Sequence, residues 1–443
     1  MKNNSVTSIK NATLEYGIFS SQVVTELDRL IDTGVRDKVA TEILLNGAAS
    51  EALEEHVSRA VRSTDGIFFS GKVLASYVAS RIRKKLEGGA TVADPACGAG
   101  DLLLACAAHF AREVNLTSKM KSWGERLLGI DLHQTFIDAA KARLTLSAAS
   151  APGVNLNTGL PKKCLMKIQQ GNYFDHIKEI AEVDCVVMNP PFATILAPEN
   201  CCWASGSVQL AGLFLATALE NAKDGQEIVA VLPDVLRSGT RYARWRSFVA
   251  TSSSIKKIHV HGRFDEQTDV DVFVLHLVKD GSKKNKLTSS WILTDKKQLA
   301  NKTEASQSFK VSVGAYVPFR AKKSDPLVDY LCVADAIPDG EVFASNKCHF
   351  DGTLHSTPFV VIRRTSNPSD PRRVIPTLIE GPAKVAIENH LIVLSPLDGT
   401  LASCRKLMKS LKNPEIDKWM NNAIRCRHLT TAIVKKLPLI GWK

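Results

Sequence analysis

Residues 63–280 alternate short apolar runs with segments in which apolar residues recur every three or four positions. The first pattern is typical of buried β-strands and the second of helices that bury one face. Five apolar runs predict strands, at 90–96, 126–132, 184–190, 227–233 and 271–278. The periodic segments predict helices, at 71–86, 100–113, 133–146 and 210–222. This order predicts an α/β domain with a mixed, mostly parallel sheet that helices cover on both faces.

Two flanking segments have other patterns. Helical spacing of apolar residues predicts a helical N-terminal segment at 1–62. A polar, basic stretch at 280–286 is typical of a linker, and shorter strands broken by Pro and Gly follow it before further helices. We therefore expect three parts, which are 1–62, the α/β domain at 63–280 and an α+β domain at 281–443.

Composition and charge narrow the class of protein. No apolar run reaches the roughly 18 residues that span a bilayer, and the first residues lack the apolar core of a secretory signal, so we expect a soluble, cytoplasmic protein. The net charge of +12 comes entirely from residues 281–443, which hold 26 Lys and Arg against 14 Asp and Glu. A basic excess confined to one segment indicates a module that binds nucleic acid, with a generic solvated surface as the alternative.

The ten cysteines are scattered and include no C-x-x-C pair. Structural zinc usually needs two close pairs of ligands, and the adjacent Cys201 and Cys202 cannot chelate the ion alone. We therefore expect reduced thiols and no metal site.

The sharpest motif is DPACGAGD at 94–101, between a predicted strand and a predicted helix. Ligands bind at this edge of parallel sheets, and Gly98 and Gly100 allow a tight turn and a close approach of the ligand. Leu103 stands where a dinucleotide fingerprint needs its third Gly, and the G-K-[ST] of a phosphate loop is missing too. Acidic residues at both ends of the turn suit an ammonium group and repel a pyrophosphate.

Asp131 ends the next predicted strand, about 31 residues after the Gly turn. A carboxylate at this position can accept hydrogen bonds from both hydroxyls of a ribose. Its alternative role is to cap the helix that follows.

A second motif, Asn189-Pro190-Pro191-Phe192, follows an apolar strand. The exocyclic amine of adenine or cytosine is a poor nucleophile because its lone pair is delocalised into the ring. The side-chain oxygen of Asn189 and the carbonyl of Pro190 can accept its two hydrogens and release that lone pair, a form of electrostatic preorganisation. The prolines fix the backbone, and Phe192 offers a face on which an extruded base can stack. The alternative is a strand that simply ends at two prolines.

Together, in this order and spacing, the two motifs and Asp131 make the chain resemble the gamma-class adenine-N6 DNA methyltransferases of restriction–modification systems. The resemblance covers about 65–280 and extends to 388–391 and 428–438. It implies a Rossmann-like methyltransferase domain at 63–280, a DNA-binding target-recognition domain at 281–443, S-adenosylmethionine as cofactor and double-stranded DNA as partner. The target adenine would flip out of the duplex.

The resemblance also assigns roles to individual residues. Asn189, Pro190, Pro191 and Phe192 would be catalytic, and Phe264 would join Phe192 in stacking on the base, unless it is a core aromatic. The cofactor would be bound by Phe69, Ser70, Asp94, Ala96, Gly98, Gly100, Asp131, Asn172 and Tyr173. The chain departs from the family at two of these positions, since Ser70-Gly71 replaces the usual Thr-Pro and Asn172 replaces the usual acidic residue beside the cofactor's adenine.

Six arginines are candidates for contacts with DNA. They lie after the strand that ends at Pro233 and around a Pro/Ser-rich loop in the basic segment: Arg237, Arg241, Arg363, Arg364, Arg372 and Arg373. Arginines on loops can hold phosphates or read base edges. A merely solvated surface is the alternative.

Other functions fit the same residues. RNA or a protein glutamine could be methylated through the Asn-Pro-Pro-Phe site, and the two departures also allow a non-catalytic DNA-binding subunit with a decayed cofactor site. We find no nuclease cluster of the P-D…(D/E)-x-K kind, so a restriction endonuclease would be a separate partner. The chemistry alone leaves adenine or cytosine open.

Overall fold

The computed structural model describes residues 13–161, 163–264, 270–280, 291 and 303–442. The chain divides into two units, one formed by 1–236 with 244–289 and the other by 237–243 with 290–443. Apart from Asp280, the predicted linker at 280–286 lies outside the described residues. The three functional parts expected from the sequence stay predictions.

The first unit contains a seven-stranded sheet of order β3-β2-β1-β4-β7-β9-β8. Strand β9 pairs antiparallel with β7 and β8, and the other neighbours pair in parallel. This confirms the predicted mixed, mostly parallel sheet. The strands of this unit, including the short hairpin β5-β6, are β1 Val92–Asp94, β2 Leu127–Asp131, β3 Ile168–Gln170, β4 Cys185–Met188, β5 Thr194–Leu196, β6 Ser207–Gln209, β7 Glu227–Pro233, β8 Ser253–Arg263 and β9 Asp271–Lys279.

The ends of the parallel strands carry the motifs to one edge. In register, Asp94 of β1 lies opposite Gly129 of β2, and Asp131 lies opposite Gln170 of β3. Strand β4 ends at Met188, directly before Asn189. Because parallel strands end at the same side of a sheet, the residues that follow β1, β2, β3 and β4 meet there.

Helices surround this sheet, as the apolar periodicity predicts. The predicted helix at 71–86 is interrupted at Ile82, whose φ of −112° and ψ of 13° are not helical. The helices of the first unit are Gly17–Thr33, Lys38–Leu45, Ala48–His56, Arg59–Asp65, Gly71–Arg81, Arg83–Glu87, Asp101–Ala107, Leu116–Arg126, Gln134–Ser150, Ile177–Ala181 and Leu210–Asn221. The helices Asp234–Ser238 and Ala243–Ser252 each include residues of both units.

The N-terminal helices belong to the same core as the sheet. Tyr16, Phe19 and Leu30 are buried in one cluster with Phe136 and Ile137 of the helix after β2. Burial of apolar surface stabilises the folded state by roughly 25 cal/mol per Å² of surface removed from water. The first unit is therefore built on these helices as well as on the strands.

Arg143 links these elements through a fully buried guanidinium. It donates to the carbonyls of Ala99, Leu44 and Leu45 at 2.6, 3.2 and 2.9 Å. It also forms an ion pair with Asp101 at 2.8 Å. One side chain thus fixes the Gly turn after β1 against the N-terminal helices.

Replacing Arg143 by Met should lower the free energy of unfolding by about 3–5 kcal/mol, because a largely buried ion pair is broken and three carbonyls lose a donor. Urea denaturation followed by circular dichroism measures the loss. Arg83→Met removes the exposed pair of Arg83 with Glu87, which is 2.6 Å long, and should cost less than about 1 kcal/mol. Equal losses in the two variants would contradict this account.

The second unit is α+β, in agreement with the sequence. Its main sheets have the orders β11-β19-β16-β17-β13 and β14-β12-β18-β15, and β10 pairs with β20. The strands are β10 Thr303–Glu304, β11 Phe309–Val313, β12 Leu327–Leu331, β13 Glu341–Phe343, β14 Asn346–His349, β15 His355–Ser356, β16 Phe359–Arg363, β17 Pro376–Glu380, β18 Lys384–Ile387, β19 Leu391–Pro396 and β20 Pro438–Leu439. The helices are Ala305–Ser308, Leu401–Leu411, Pro414–Ala423 and Thr431–Lys435.

Two further properties concern the described residues as a whole. Within them, no helix combines the length and the apolar character needed to cross a membrane. In the same part of the chain, His, Cys, Asp and Glu side chains form no group of three that could hold a metal ion.

Candidate active site

A cavity of about 430 Å³ opens where the strands of the first unit end. Its walls include residues that follow each of four parallel strands, namely Gly98 after β1, Asp131 at the tip of β2, Asn172 after β3 and Asn189 after β4. Phe69, which precedes the first strand in the chain, also lines the cavity. The structure thus brings together residues that the sequence separates by more than 100 positions, and the volume suits a small-molecule ligand.

The turn after β1 requires both glycines. Gly98 and Gly100 have φ angles of +50° and +86°, a region that costs other residues energy. A Cβ at Gly98 would lie 2.6 Å from the ring of Phe69, and one at Gly100 would lie 3.1 Å from Ala140. The backbone of this turn is therefore packed tightly from both sides.

Asp131 holds the turn against the loop after β2. One carboxylate oxygen accepts the N–H of Gly98 at 2.9 Å, and the other accepts the N–H of His133 at 3.0 Å. Burial raises the pKa of this carboxyl, and the neighbouring His133 acts in the opposite direction. Each oxygen keeps a lone pair for a ligand, so the predicted ribose contact is compatible with this role.

Asp94 is a buried carboxyl at the base of the turn. One of its oxygens accepts the N–H of Ala96 at 3.2 Å. Burial raises its pKa to about 8, since desolvation outweighs this hydrogen bond. Asp94 lines a small pocket of about 20 Å³ together with Ser70 and Asn189.

The segment before the first strand packs over the turn. The ring of Phe69 contacts those of Tyr16 and Phe136, with centroids 5.9 and 5.2 Å apart. Ser70 precedes the helix Gly71–Arg81 and makes no side-chain capping bond to it. Both predicted cofactor residues of this segment therefore lie at the cavities.

Asn172 and Tyr173 follow β3 and line the larger cavity. The side-chain oxygen of Asn172 accepts the N–H of Phe174 at 3.2 Å and so caps a short 3₁₀ helix. Tyr173 is buried, and its hydroxyl donates to the carbonyl of Phe214 at 3.3 Å. Asn172 therefore has a structural role at the position where the resemblance implied an acidic residue.

Asn189 lines both cavities and is 9% exposed. Its Nδ2 donates to the carbonyl of Phe68 at 3.0 Å, which fixes the plane of the amide. Its Oδ1 is buried and has no hydrogen-bond partner. Since leaving a buried acceptor unpaired costs about 1–3 kcal/mol, this oxygen is an unfilled position for a donor.

Three aromatic rings meet beside this amide. Phe68 stacks on Phe192 with centroids 5.8 Å apart, and Phe264 meets Phe192 edge-on at 5.6 Å. All three rings are partly exposed. The structure thus brings the two predicted stacking residues together and adds Phe68, which the sequence analysis did not single out.

The six candidate arginines lie in different environments of the second unit. Arg237 and Arg373 are each only 1% exposed. Arg237 donates to the carbonyls of Asn422 and Trp291 at 3.0 and 3.1 Å, and Arg373 bonds the carbonyls of Ile424 and Cys426. These contacts hold the backbone together, so we leave both residues out of the proposed DNA-contacting set.

The other four arginines are more accessible. Arg372 is committed to Asp339 through a bidentate ion pair, which lowers the pKa of that carboxyl. Arg364 is half-buried and bonds the carbonyl of Asn389 at 3.4 Å. Arg241 and Arg363 are exposed.

Sequence reasoning missed several residues of the site. Gly66 is one of them, because a Cβ there would lie 2.5 Å from the backbone nitrogen of Phe192. Asp65 and His133 line the larger cavity. The apolar pair Phe68-Phe69 next to Gly66 was the available signal, and only the tertiary structure shows that it faces the Asn189 corner.

Replacing Asp94 by Asn should remove a pH dependence of stability. An unfolded Asp ionises near pH 3.9, whereas the folded protein keeps Asp94 protonated up to about pH 8. The stability of the unmodified protein without ligand therefore falls as pH rises towards about 8 and then levels off. The melting temperature of Asp94→Asn, relative to that of the unmodified protein, should therefore rise between about pH 3.9 and about pH 8.

A second variant provides the control for this measurement. Asp184 accepts hydrogen bonds from the N–H and hydroxyl of Thr91 at 2.9 and 2.8 Å, which lower its pKa. Stability from such a group is lost only at acid pH. The loss of melting temperature in Asp184→Asn should therefore be constant between about pH 6 and about pH 9. A constant difference for Asp94→Asn as well would contradict the raised pKa.

Three solved structures match the chain at low sequence identity, and the first of them shares its fold. The type IIL restriction–modification enzyme MmeI in complex with DNA matches at a TM-score of 0.52 and 12% identity, over 88% of this chain and 70% of that one. The type IIG restriction endonuclease BpuSI matches at 0.48 and 15%, over 90% of this chain and 62% of that one. A type I methyltransferase subunit from Streptococcus thermophilus matches at 0.35 and 16%, over 53% and 51%. The chain thus spans less than two thirds of the BpuSI chain.

A sequence model of a protein family gives the stronger comparison. The model of the N-6 DNA methylase family matches residues 44–312, which is more than half of the chain. The match includes both motifs, the β2 tip at Asp131 and the aromatic group around Phe192. The chain therefore belongs to the N-6 DNA methylase family of methyltransferases.

Proposed function

We propose that this protein transfers a methyl group from S-adenosylmethionine to the N6 amino group of an adenine flipped out of double-stranded DNA. The observation that carries the proposal is the buried, unpaired Oδ1 of Asn189 at the wall of the larger cavity. An amine that arrives there finds an acceptor already aimed and already desolvated. Such preorganised polar groups contribute most to lowering a barrier when they need no rearrangement.

The Asn189 corner acts on the nitrogen of the substrate. Oδ1 of Asn189 and the carbonyl of Pro190 accept the two amine hydrogens, which favours a tetrahedral nitrogen and frees its lone pair. The bond from Nδ2 to the Phe68 carbonyl prevents the amide from turning its donor side inward. Catalysis here requires positioning and hydrogen bonds, and no covalent intermediate.

The larger cavity fits the cofactor. The Gly98 turn leaves no room for a Cβ on its Phe69 side, and Asp131 has acceptor capacity at the strand tip. Asp94 lies in the small pocket, which shares Gly98 and Asn189 with the larger cavity, and a methionyl ammonium there would favour the ionised form of its carboxyl. When bound, S-adenosylmethionine supplies an electrophilic methyl group. The chain's own residues hold the turn, exclude water and place Asn189 beside the same space.

The aromatic group accounts for the flipped base. The rings of Phe192 and Phe264 meet edge to face, with their planes 89° apart, an arrangement that can hold a planar ring. In this structure Phe68 stacks on Phe192. Extrusion of the base therefore ends in a position where an aromatic partner is already provided.

One surface of the second unit supports DNA as the partner. Three segments are joined there by backbone bonds, from Arg364 N–H to His390 O at 2.8 Å, from Leu429 N–H to Arg364 O at 2.7 Å and from Ser366 N–H to Arg427 O at 2.9 Å. Arg363, Arg427 and His428 are exposed on them. Basic side chains on a rigid backbone suit phosphate contacts, and Arg241 is a further candidate.

The alternatives differ in measurable ways. Methylation of RNA or of a protein glutamine would use the same corner, but the family match favours DNA. A non-catalytic DNA-binding subunit would not bind S-adenosylmethionine in calorimetry. The restriction–modification role, with a separate endonuclease, rests on the resemblance to such systems.

Methylation-sensitive sequencing of DNA from cells that express the protein tests the proposal. We expect modified adenine within one short sequence motif. Asn189→Ala should abolish the modification, because the amine loses its acceptor, while calorimetric binding of S-adenosylmethionine is largely kept. Asn221→Ala, which alters a helix-terminal side chain bonded to the carbonyl of Thr217, should leave the modification intact. Modified cytosine, or unchanged methylation in Asn189→Ala, would refute the mechanism.

Replacing Arg363 by Ala should weaken binding to duplex DNA by several-fold and reduce the slope of log affinity against log salt by about 1, because one phosphate contact is lost. Fluorescence anisotropy at several salt concentrations measures both quantities. Lys310 is exposed on β11 of the same unit, and Lys310→Ala serves as the control with unchanged slope. An equal effect of both variants would indicate net charge rather than this surface.

A further inference from the structure

Asp65 is a carboxylate of the larger cavity to which neither motif assigns a role. It ends the helix Arg59–Asp65, immediately before Gly66. Gly66 packs against the backbone of Phe192 and Ala193. Asp65 and Asp131 are the two carboxylates among the described residues that line this cavity.

The carboxylate of Asp65 has no internal partner. Among the described residues, none donates a hydrogen bond to it and no cation forms an ion pair with it. Partial burial raises its pKa, and the one group that opposes this shift is His133. A partly buried carboxylate without a protein donor loses hydration without compensation, and at a cavity wall its oxygens can accept from a ligand.

His133 places Asp65 on the same side of the cavity as Asp131. The backbone N–H of His133 donates to Asp131 at 3.0 Å, and its imidazole is the electrostatic neighbour of both carboxylates. Each oxygen of Asp131 already accepts one hydrogen bond, from the N–H of Gly98 or from that of His133. Two ribose hydroxyls offer two donors in this region, and a second carboxylate can take one of them.

The position of Asn172 strengthens this assignment. Its side-chain oxygen caps the Phe174 N–H and the residue is exposed, so it supplies no charged acceptor to the nucleoside. The cavity therefore depends on Asp65 and Asp131 for charge-assisted hydrogen bonds. Such bonds are stronger than hydrogen bonds between neutral groups.

We propose that Asp65 is a cofactor-binding residue that accepts a hydrogen bond from one ribose hydroxyl of the cofactor's nucleoside, while Asp131 accepts from the other. The inference rests on the proposed function, since it assumes a nucleoside cofactor in this cavity. It assigns a contact to a helix end that precedes the sheet, where neither motif lies.

Calorimetry with S-adenosylhomocysteine tests the assignment without any need for activity. Asp65→Ala should weaken binding about tenfold or more, and Asp65→Asn, which keeps one acceptor oxygen, should give an intermediate loss. The control is Asp175→Ala, because Asp175 is exposed and outside the cavity lining, and its affinity should stay within about twofold of the unmodified protein. Unchanged melting temperatures without ligand show that the variants fold.

Analogues of S-adenosylhomocysteine identify the atom involved. The 2′-deoxy and 3′-deoxy forms should each bind the unmodified protein more weakly, and one of them should bind Asp65→Ala no more weakly than S-adenosylhomocysteine does. The other deoxy form should bind Asp131→Ala no more weakly than S-adenosylhomocysteine does. Coupling of Asp65 only to S-inosylhomocysteine, which lacks the adenine amine, would overturn the ribose assignment.

The remaining outcomes separate this inference from the proposed function. Unchanged affinity in Asp65→Ala, with the unmodified protein binding normally, would overturn the role of Asp65 alone. Failure of the unmodified protein to bind S-adenosylhomocysteine or S-adenosylmethionine would overturn the proposed function and this inference together.

Discussion

The site depends on the two hydrogen bonds that Asp131 accepts at the edge of the sheet. They join the N–H groups of Gly98 and His133 through one carboxylate, so the turn after β1 and the loop after β2 form a single wall. Parallel strands place Asn172 and Asn189 on the neighbouring walls. A transfer reaction needs two reactants held in a fixed relation, and here backbone N–H groups and one carboxylate provide the fixed frame.

The segment 65–70 provides a further wall and contacts both the Asn189 corner and the Gly98 turn. The carbonyl of Phe68 orients the amide of Asn189 at 3.0 Å, and the ring of Phe69 covers Gly98. Gly66 accepts the N–H of Phe192 at 3.4 Å. The same few residues therefore position the Asn189 corner and the Gly98 turn, and the N-terminal helices support them through Tyr16, whose ring lies 5.9 Å from that of Phe69.

The sequence predicted β1, β2, β4 and β7 and their tips because buried strands are continuous apolar runs that end at polar or Gly-rich turns. It missed the parallel strand β3, whose three residues include a single apolar one, Ile168. It did not predict β8, since exposed charges such as Lys256 and Lys257 interrupt its apolar positions. Nor could it distinguish Arg237 and Arg373 from surface arginines. Their partners are carbonyls more than 50 positions away in the chain, and a local pattern does not show which carbonyls folding leaves without a donor.

Satisfied and unsatisfied polar groups divide the first unit into scaffold and site. Arg143 is fully buried and bonds three carbonyls and a carboxylate, so it stabilises the fold. Asn189 keeps a buried acceptor free, and burial raises the pKa of Asp94 to about 8. Buried atoms without partners occur elsewhere, as at the indole of Trp123, but that is a single donor on an apolar ring. At the cavities, an amide oxygen and carboxyl groups line shared space, which is the arrangement expected of a functional site.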